Sequence, residues 1–170
     1  MAIRTVERHK YNGDQIIKTR TLSFEPYRYS EHNMALVMGL IKRNLSPDLL
    51  STRYREENQT NPTYGHCYHS TQALFYLMDT DKLQPMSGKD YRGETHWWLQ
   101  NEDNIYDLTA EQYLSVGKLP PYAVGKKSKW YGWKGRPHQR SLDLIMRVLG
   151  DKVTDTVTIP ELVGGLDGFF

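Results

Sequence analysis

The chain has one cysteine among its 170 residues, which excludes an internal disulfide framework and any zinc site built on paired Cys-x-x-Cys motifs. No run of 18 apolar residues occurs, so nothing reads as a membrane span. The N-terminal stretch MAIRTVERHK lacks an apolar core and a small-residue cleavage site, and so reads as a cytosolic start rather than a secretory leader. Apolar residues are few, at 38%. What offsets this is aromatic volume, since 12 Tyr, 4 Trp and 4 Phe can fill a core that aliphatic residues alone would leave thin. A chain of this length buries roughly two-thirds of its unfolded surface and needs no staple to fold. Residues 1–170 are expected to form a single domain, with a mobile tail over about 163–170.

Net charge is nearly absent, at +2, but its distribution is uneven. Residues 1–55 carry +5, residues 56–113 carry −7, residues 114–150 carry +7 and residues 151–170 carry −3. Such blocks decide partners more than the total does.

Residues 3–24 read as strands around the turn signal Asn12-Gly13-Asp14. Ser30 reads as the cap of a helix beginning at Glu31, and Ser46-Pro47-Asp48 starts a short one. Residues 56–64 read as a loop, and a helix follows from Gly65 to the acidic stretch Asp79-Thr80-Asp81. Residues 94–100 and 104–108 read as strands, joined by a connection of hairpin length. Residues 115–136 have no clean period and read as an irregular, basic and aromatic segment. Arg136-Pro137 opens a helix that stops at Gly150, and a strand runs from Val153 to Ile159. This order favours an α+β fold with an antiparallel sheet over a doubly wound parallel one.

The acidic middle block holds a constellation with chemistry in it. Cys67 falls in the first turn of a helix, His96 in a strand, and Asp107 at the end of the next strand. A nucleophilic thiol needs a lowered pKa, which a helix N-terminus and a nearby imidazole supply. It also needs a base within reach, and a third group to fix the tautomer of that base. A hairpin turning near residue 102 puts Asp107 close to His96 or one pair away. Taken singly, these residues have plain readings: a small core thiol, a satisfied strand histidine, a turn-capping aspartate. The joint pattern is more specific than any of its parts.

THWWL…IYDLT resembles the core of the papain-like transglutaminase superfamily, whose histidine strand reads H-x-W and whose next strand ends in D-x-T. In that superfamily the cysteine opens a helix, and the chain order is Cys, His, Asp. Here His96, Trp98, Asp107 and Thr109 match, with Cys67 upstream. The longer string GHCYHSTQALFYLMD…THWWLQ…IYDLTAEQY is also similar to small uncharacterised proteins of bacteriophages and bacteria. The likeness covers roughly residues 46–149 and is sharp over 63–113. It implies a helix bearing the cysteine packed on an antiparallel sheet bearing His and Asp. It also implies a cysteine-dependent acyl-transfer enzyme (peptidase, amidase, deamidase or transglutaminase) acting on a protein, peptide or other amide without a cofactor. Transglutaminases proper are larger and often need calcium, and no EF-hand loop is present here. The 29-residue spacing from Cys67 to His96 is short.

Papain-like proteases place an oxyanion-hole glutamine shortly before the cysteine. In this chain Asn61 and Gln59 are the upstream carboxamides, with the Cys67 backbone N–H as second donor. Trp97 and Trp98 alternate across their strand, so one is expected in the core and the other at the cleft, shaping an acyl pocket. His66, Cys67, His69, His96 and Asp107 could between them offer metal ligands, with His69 otherwise a supporting or surface residue. The paired spacing of zinc sites is missing, so no metal is expected. Lys118, Lys126, Lys127, Lys129, Lys134, Arg136 and Arg140, interleaved with Tyr122, Trp130, Tyr131 and Trp133, suit a single-stranded nucleic acid or an acidic partner, and equally a solvated loop. The competing functional class is therefore a phage accessory factor that binds nucleic acid or a host protein in the host cytoplasm without catalysis.

Overall fold

The computed structural model describes residues 2–160. The first two strands, β1 (Arg4–Asn12) and β2 (Gln15–Phe24), form a hairpin in which Asn12 pairs with Gln15. Gly13 sits at φ 61 in that tight turn, a conformation that costs glycine nothing. Strand β9 (Val153–Thr158) adds antiparallel to the far edge of β2. After β2 the chain makes β3 (Tyr27–Arg28), which pairs in parallel with β4 (Met78–Asp79). Between them lies α1 (Glu31–Arg43), whose first turn is capped by Ser30 accepting from the Asn33 N–H at 3.0 Å.

A 3₁₀ turn at Pro47–Leu49 leads to α2 (Thr52–Asn58), then to α3 (Cys67–Leu77). The second sheet follows: β5 (Gln84–Lys89), β6 (Thr95–Asn101), β7 (Asn104–Tyr106) and β8 (Lys126–Lys127), in spatial order β7-β6-β5-β8 and antiparallel throughout. Between β7 and β8 sit α4 (Glu111–Leu114) and a 3₁₀ turn at Tyr122–Val124. A further 3₁₀ turn at Tyr131–Trp133 precedes α5 (Gln139–Leu149). The architecture is α+β with antiparallel sheets, and no helix among the described residues is long and apolar enough to cross a membrane.

Helix α3 is the hub. Ala73, Leu74 and Leu77 are fully buried against Met34, Val37 and Ile41 of α1, Leu142 and Ile145 of α5, and Leu99 of β6. Each such side chain contributes about 1.5–3 kcal/mol by leaving water. One polar residue joins this core. The buried Gln72 carboxamide donates to the Tyr68 hydroxyl and the Gly132 carbonyl, both at 2.9 Å. Its oxygen accepts from the His138 N–H and the Ser141 hydroxyl, both at 2.7 Å. All four of its bonding positions are filled, so α3 is tied to the start of α5 and to the 131–133 turn.

The sequence reading needs correction in three places. Residues 56–58, read as loop, are the last turn of α2, whose buried Asn58 amide binds the carbonyls of Pro62 and Tyr64. The strand β5 was not expected, because QPMSGK carries Pro85 and Gly88. Helix α5 starts at Gln139 rather than at Arg136-Pro137, capped by the His138 ring accepting from the Arg140 N–H at 3.1 Å. Gly150, at φ 59, ends it as expected. The tail at 163–170 lies outside the described residues.

Candidate active site

Gly65 sets the position of the thiol. Its φ is +85, and a Cβ there would stand 3.0 Å from Leu50 Cδ2 and from Tyr54 Cβ, so only glycine fits this bend. The bend starts α3 at Cys67. The backbone N–H groups of Cys67, Tyr68 and His69 make no hydrogen bond to the described residues, whereas that of Ser70 donates to the His66 carbonyl. These free N–H groups and the helix dipole give the site a partial positive charge beside the sulfur. The thiol is half-buried, and its contact with backbone is to the Thr95 carbonyl, at 3.8 Å.

The hairpin β6–β7 supplies the other two groups. Leu99 pairs with Tyr106 and Asn101 with Asn104, with Glu102 at φ 54 in the turn. Continuing this register sets Asp107 opposite Trp98, two pairs from His96 and so on the same face. The diagonal brings the His96 Nε2 and Asp107 Oδ2 atoms to 2.7 Å, with both side chains buried. The carboxylate thus accepts from Nε2–H and leaves the Nδ1 atom on the far side of the ring. The imidazole is fully buried, stacked on Trp98 at 5.8 Å and edge-on to Tyr113 at 4.8 Å. Burial opposes its protonation. The hydrogen bonds and charges of Asp107 and Cys67 outweigh that, and the pKa of His96 is raised to about 9.

Two residues that the sequence reading missed complete the constellation. The Tyr122 hydroxyl donates to Asp107 Oδ2 at 2.7 Å, while Asp107 Oδ1 accepts from the Thr109 N–H at 3.0 Å. Burial, then the Asp107 charge, push the Tyr122 pKa upward, so it remains a donor. Gly125 allows this packing, because a Cβ there would fall 2.5 Å from the Trp98 ring. The second residue is Gln112. Its amide nitrogen lies 3.4 Å from His96 Nδ1 and 3.0 Å from the Thr109 hydroxyl, and it lines the cleft. Its signal was a glutamine three residues after Thr109, one helical turn on.

The expected oxyanion donors are corrected accordingly. The Asn61 amide is buried and spent on the Gln112 carbonyl at 2.8 Å, so it positions Gln112 rather than facing substrate. Gln59 is exposed at the end of α2 and does not line the cleft. The tryptophans divide as their alternation requires, with Trp98 fully buried and Trp97 half-buried on the cleft wall. Trp97 packs edge-on to Tyr68 at 5.0 Å and beside Trp133 at 5.8 Å. The cleft itself encloses about 460 Å³, with Cys67 on its wall between Tyr68 and Trp97 on one hand and Glu94 and Tyr113 on the other.

The basic segment is also revised. Trp133 is 7% exposed, wedged against Phe75, Tyr68 and Trp97, with its indole N–H on the Ser128 hydroxyl at 3.1 Å. It is a core residue, unable to stack on a ligand. Lys126, Lys127 and Lys129 are exposed, and Trp130 is 39% exposed, but Trp130 is held against Gly132, where a Cβ would fall 2.6 Å from its ring.

His66 and His69 are both buried and bond each other, Nδ1 to Nε2, at 2.7 Å. His69 is therefore not a surface residue. Burial lowers the pKa of His66 to about 4 and that of His69 as well, so the pair is neutral. No group of three potential ligands is assembled among the described residues.

No family model, curated protein or solved structure matches the chain.

Proposed function

We propose that the chain is a papain-like cysteine enzyme of acyl transfer. Cys67 is the nucleophile, His96 the general base and acid, and Asp107 the group that orients the ring. The observation that carries this reading is the buried His96–Asp107 bond of 2.7 Å, with the Cys67 thiol, at a helix start on the wall of a cleft, acting on the same ring. The raised pKa of His96 supports it, since an imidazolium beside the sulfur favours the thiolate.

In the reaction the Cys67 sulfur attacks the carbonyl carbon of an amide or ester, and the C–O π electrons move to oxygen. The Cys67 backbone N–H and the Gln112 amide are the donors we assign to that oxyanion. When His96 is protonated its Nδ1 atom no longer accepts from Gln112, which frees the amide for substrate oxygen. The imidazolium then gives its proton to the departing amine or alkoxide as the C–N or C–O bond breaks. This leaves a thioester on Cys67. Water, or an amine, attacks the thioester with His96 taking its proton, and the thiol is regenerated.

The test is trapping of the thioester. A p-nitrophenyl ester should release a burst of about one equivalent of nitrophenolate per chain, as covalent catalysis requires. Mass spectrometry should find the acyl group on the peptide carrying Cys67. Gln112→Leu should slow the burst about 10²-fold, the effect of losing one oxyanion donor. Acylation spread over lysines, or unchanged in Cys67→Ala, would contradict the proposal.

A further inference from the structure

The hairpin β1–β2 carries a charge pattern that the acyl-transfer site does not use. Along its inner face the buried pair Val6–Leu22 is followed by Arg8 opposite Arg20 and then Lys10 opposite Lys18. Like charges directly opposite on one face destabilise a strand pair. Arg20 is relieved by Asp143 at 2.9 Å and Asp155 at 3.2 Å. Lys10 and Lys18 are exposed and make no ion pair among the described residues. A local conflict of this kind, kept without internal compensation, points to an external anion.

The edge strand β1 borders two adjoining cavities of about 580 and 650 Å³, which share Arg8 from this face and His9 and Tyr11 from the other. The first is closed by Tyr131, Lys134 and Arg136, the second by Lys10, Lys18 and Arg20. No carboxylate lines either cavity. The carboxylates nearby are held by lining cations, Asp143 and Asp155 by Arg20 and Glu7 by Arg136 at 3.3 Å and His9 at 3.4 Å. Arg8 spends one nitrogen on the Pro137 carbonyl at 3.5 Å. Two tyrosine rings stand in this cationic groove, Tyr11 at 55% exposed and Tyr131 at 66%. The groove shares no residue with the cleft around Cys67.

We propose that this groove binds a single-stranded nucleic acid, with Arg8, Lys10, Lys18, Lys134 and Arg136 on the phosphates and Tyr11 and Tyr131 stacking on bases. The tyrosines decide between anions. An acidic polypeptide would satisfy the cations but give the exposed rings nothing to stack on, whereas every base presents a face to them. The site is distinct from Lys126, Lys127 and Lys129, which lie on and beside β8.

The full chain is titrated with a fluorescein-labelled oligothymidylate at several salt concentrations. Engagement of these cations should give a slope of log affinity against log salt of about −3.5, from about −0.7 per phosphate. Lys10→Ala with Lys18→Ala should flatten the slope by about 1.4 on the same rule. It should not lower the melting temperature, since it removes a repulsive pair. Tyr131→Ala should weaken binding at least about fivefold without altering the slope, because stacking releases no counterions. Cys67→Ala should bind as wild type does, which separates this proposal from the acyl-transfer reading. The proposal is overturned by absence of binding at low salt or by an unchanged slope in the double variant. Polyglutamate binding as tightly, with Tyr131→Ala without effect, would also overturn it and assign the groove to an acidic polypeptide.

Discussion

Asp107→Asn is expected to leave the fold intact and to lower the acyl-transfer rate by about four orders of magnitude, the scale seen for the same change in a serine-protease triad. An amide at this position can offer its NH₂ to the His96 Nε2 atom and so place the ring proton on Nδ1, facing the sulfur that must give up its own. It also removes the charge that, against the cost of burial, holds the pKa of His96 at about 9. That second effect has a signature in stability. A histidine whose folded pKa lies above its unfolded value of about 6.5 stabilises the fold fully below that value, and the contribution is lost as pH rises through the folded pKa. Wild type should therefore exceed Asp107→Asn in melting temperature most clearly near pH 6. The gap should close as pH passes about 9. Equal rates in the two proteins would place the orienting group elsewhere, and a gap that does not change with pH would show that His96 is not charged in the fold.

The second large effect lies away from the thiol. Gln72→Leu should destabilise the fold by about 3 kcal/mol, since it strands the Tyr68 hydroxyl, the His138 N–H and the Ser141 hydroxyl at about 1 kcal/mol each, while the Gly132 carbonyl keeps the Tyr76 hydroxyl. For a chain of this length that is a fall of roughly 10 °C in the thermal midpoint. Gln72→Glu should be milder in geometry yet costly in charge, because its Gly132 carbonyl contact would face a carboxylate. A midpoint within about 2 °C of wild type for Gln72→Leu would mean that water or a shifted Tyr68 replaces the lost bonds.

The His96–Asp107 pairing was legible in the sequence because hairpin arithmetic is local. Once residues 101–104 turn, Asp107 must come near His96, and a glycine two residues before Cys67 marks where the helix opens. The Asn12-Gly13-Asp14 turn and the Ser30 cap were legible for the same reason, each resting on a few neighbouring residues. Which carboxamide faces the cleft was not. Whether Asn61 or Gln112 faces the cleft is decided by one long-range bond, the Asn61 amide to the Gln112 carbonyl, which no spacing encodes. Tyr122 was hidden because it comes from a segment without period and reaches Asp107 only through the packing of Gly125 on Trp98. Trp133 misled because basic neighbours suggested a ligand-binding face, whereas its ring fills a gap beside Phe75 and Trp97. Helix α2 and strand β5 escaped because TRYREEN has no apolar stripe and QPMSGK contains two strand breakers.

The central claim is that His96 activates the Cys67 thiol, and the rate of alkylation by iodoacetamide as a function of pH tests it most directly. Near pH 6 wild type should react many-fold faster than His96→Ala, whose profile should lie at higher pH. Asp107→Asn should fall between the two. Identical profiles in wild type and His96→Ala, or alkylation only after denaturation, would contradict the account and leave Cys67 a structural residue.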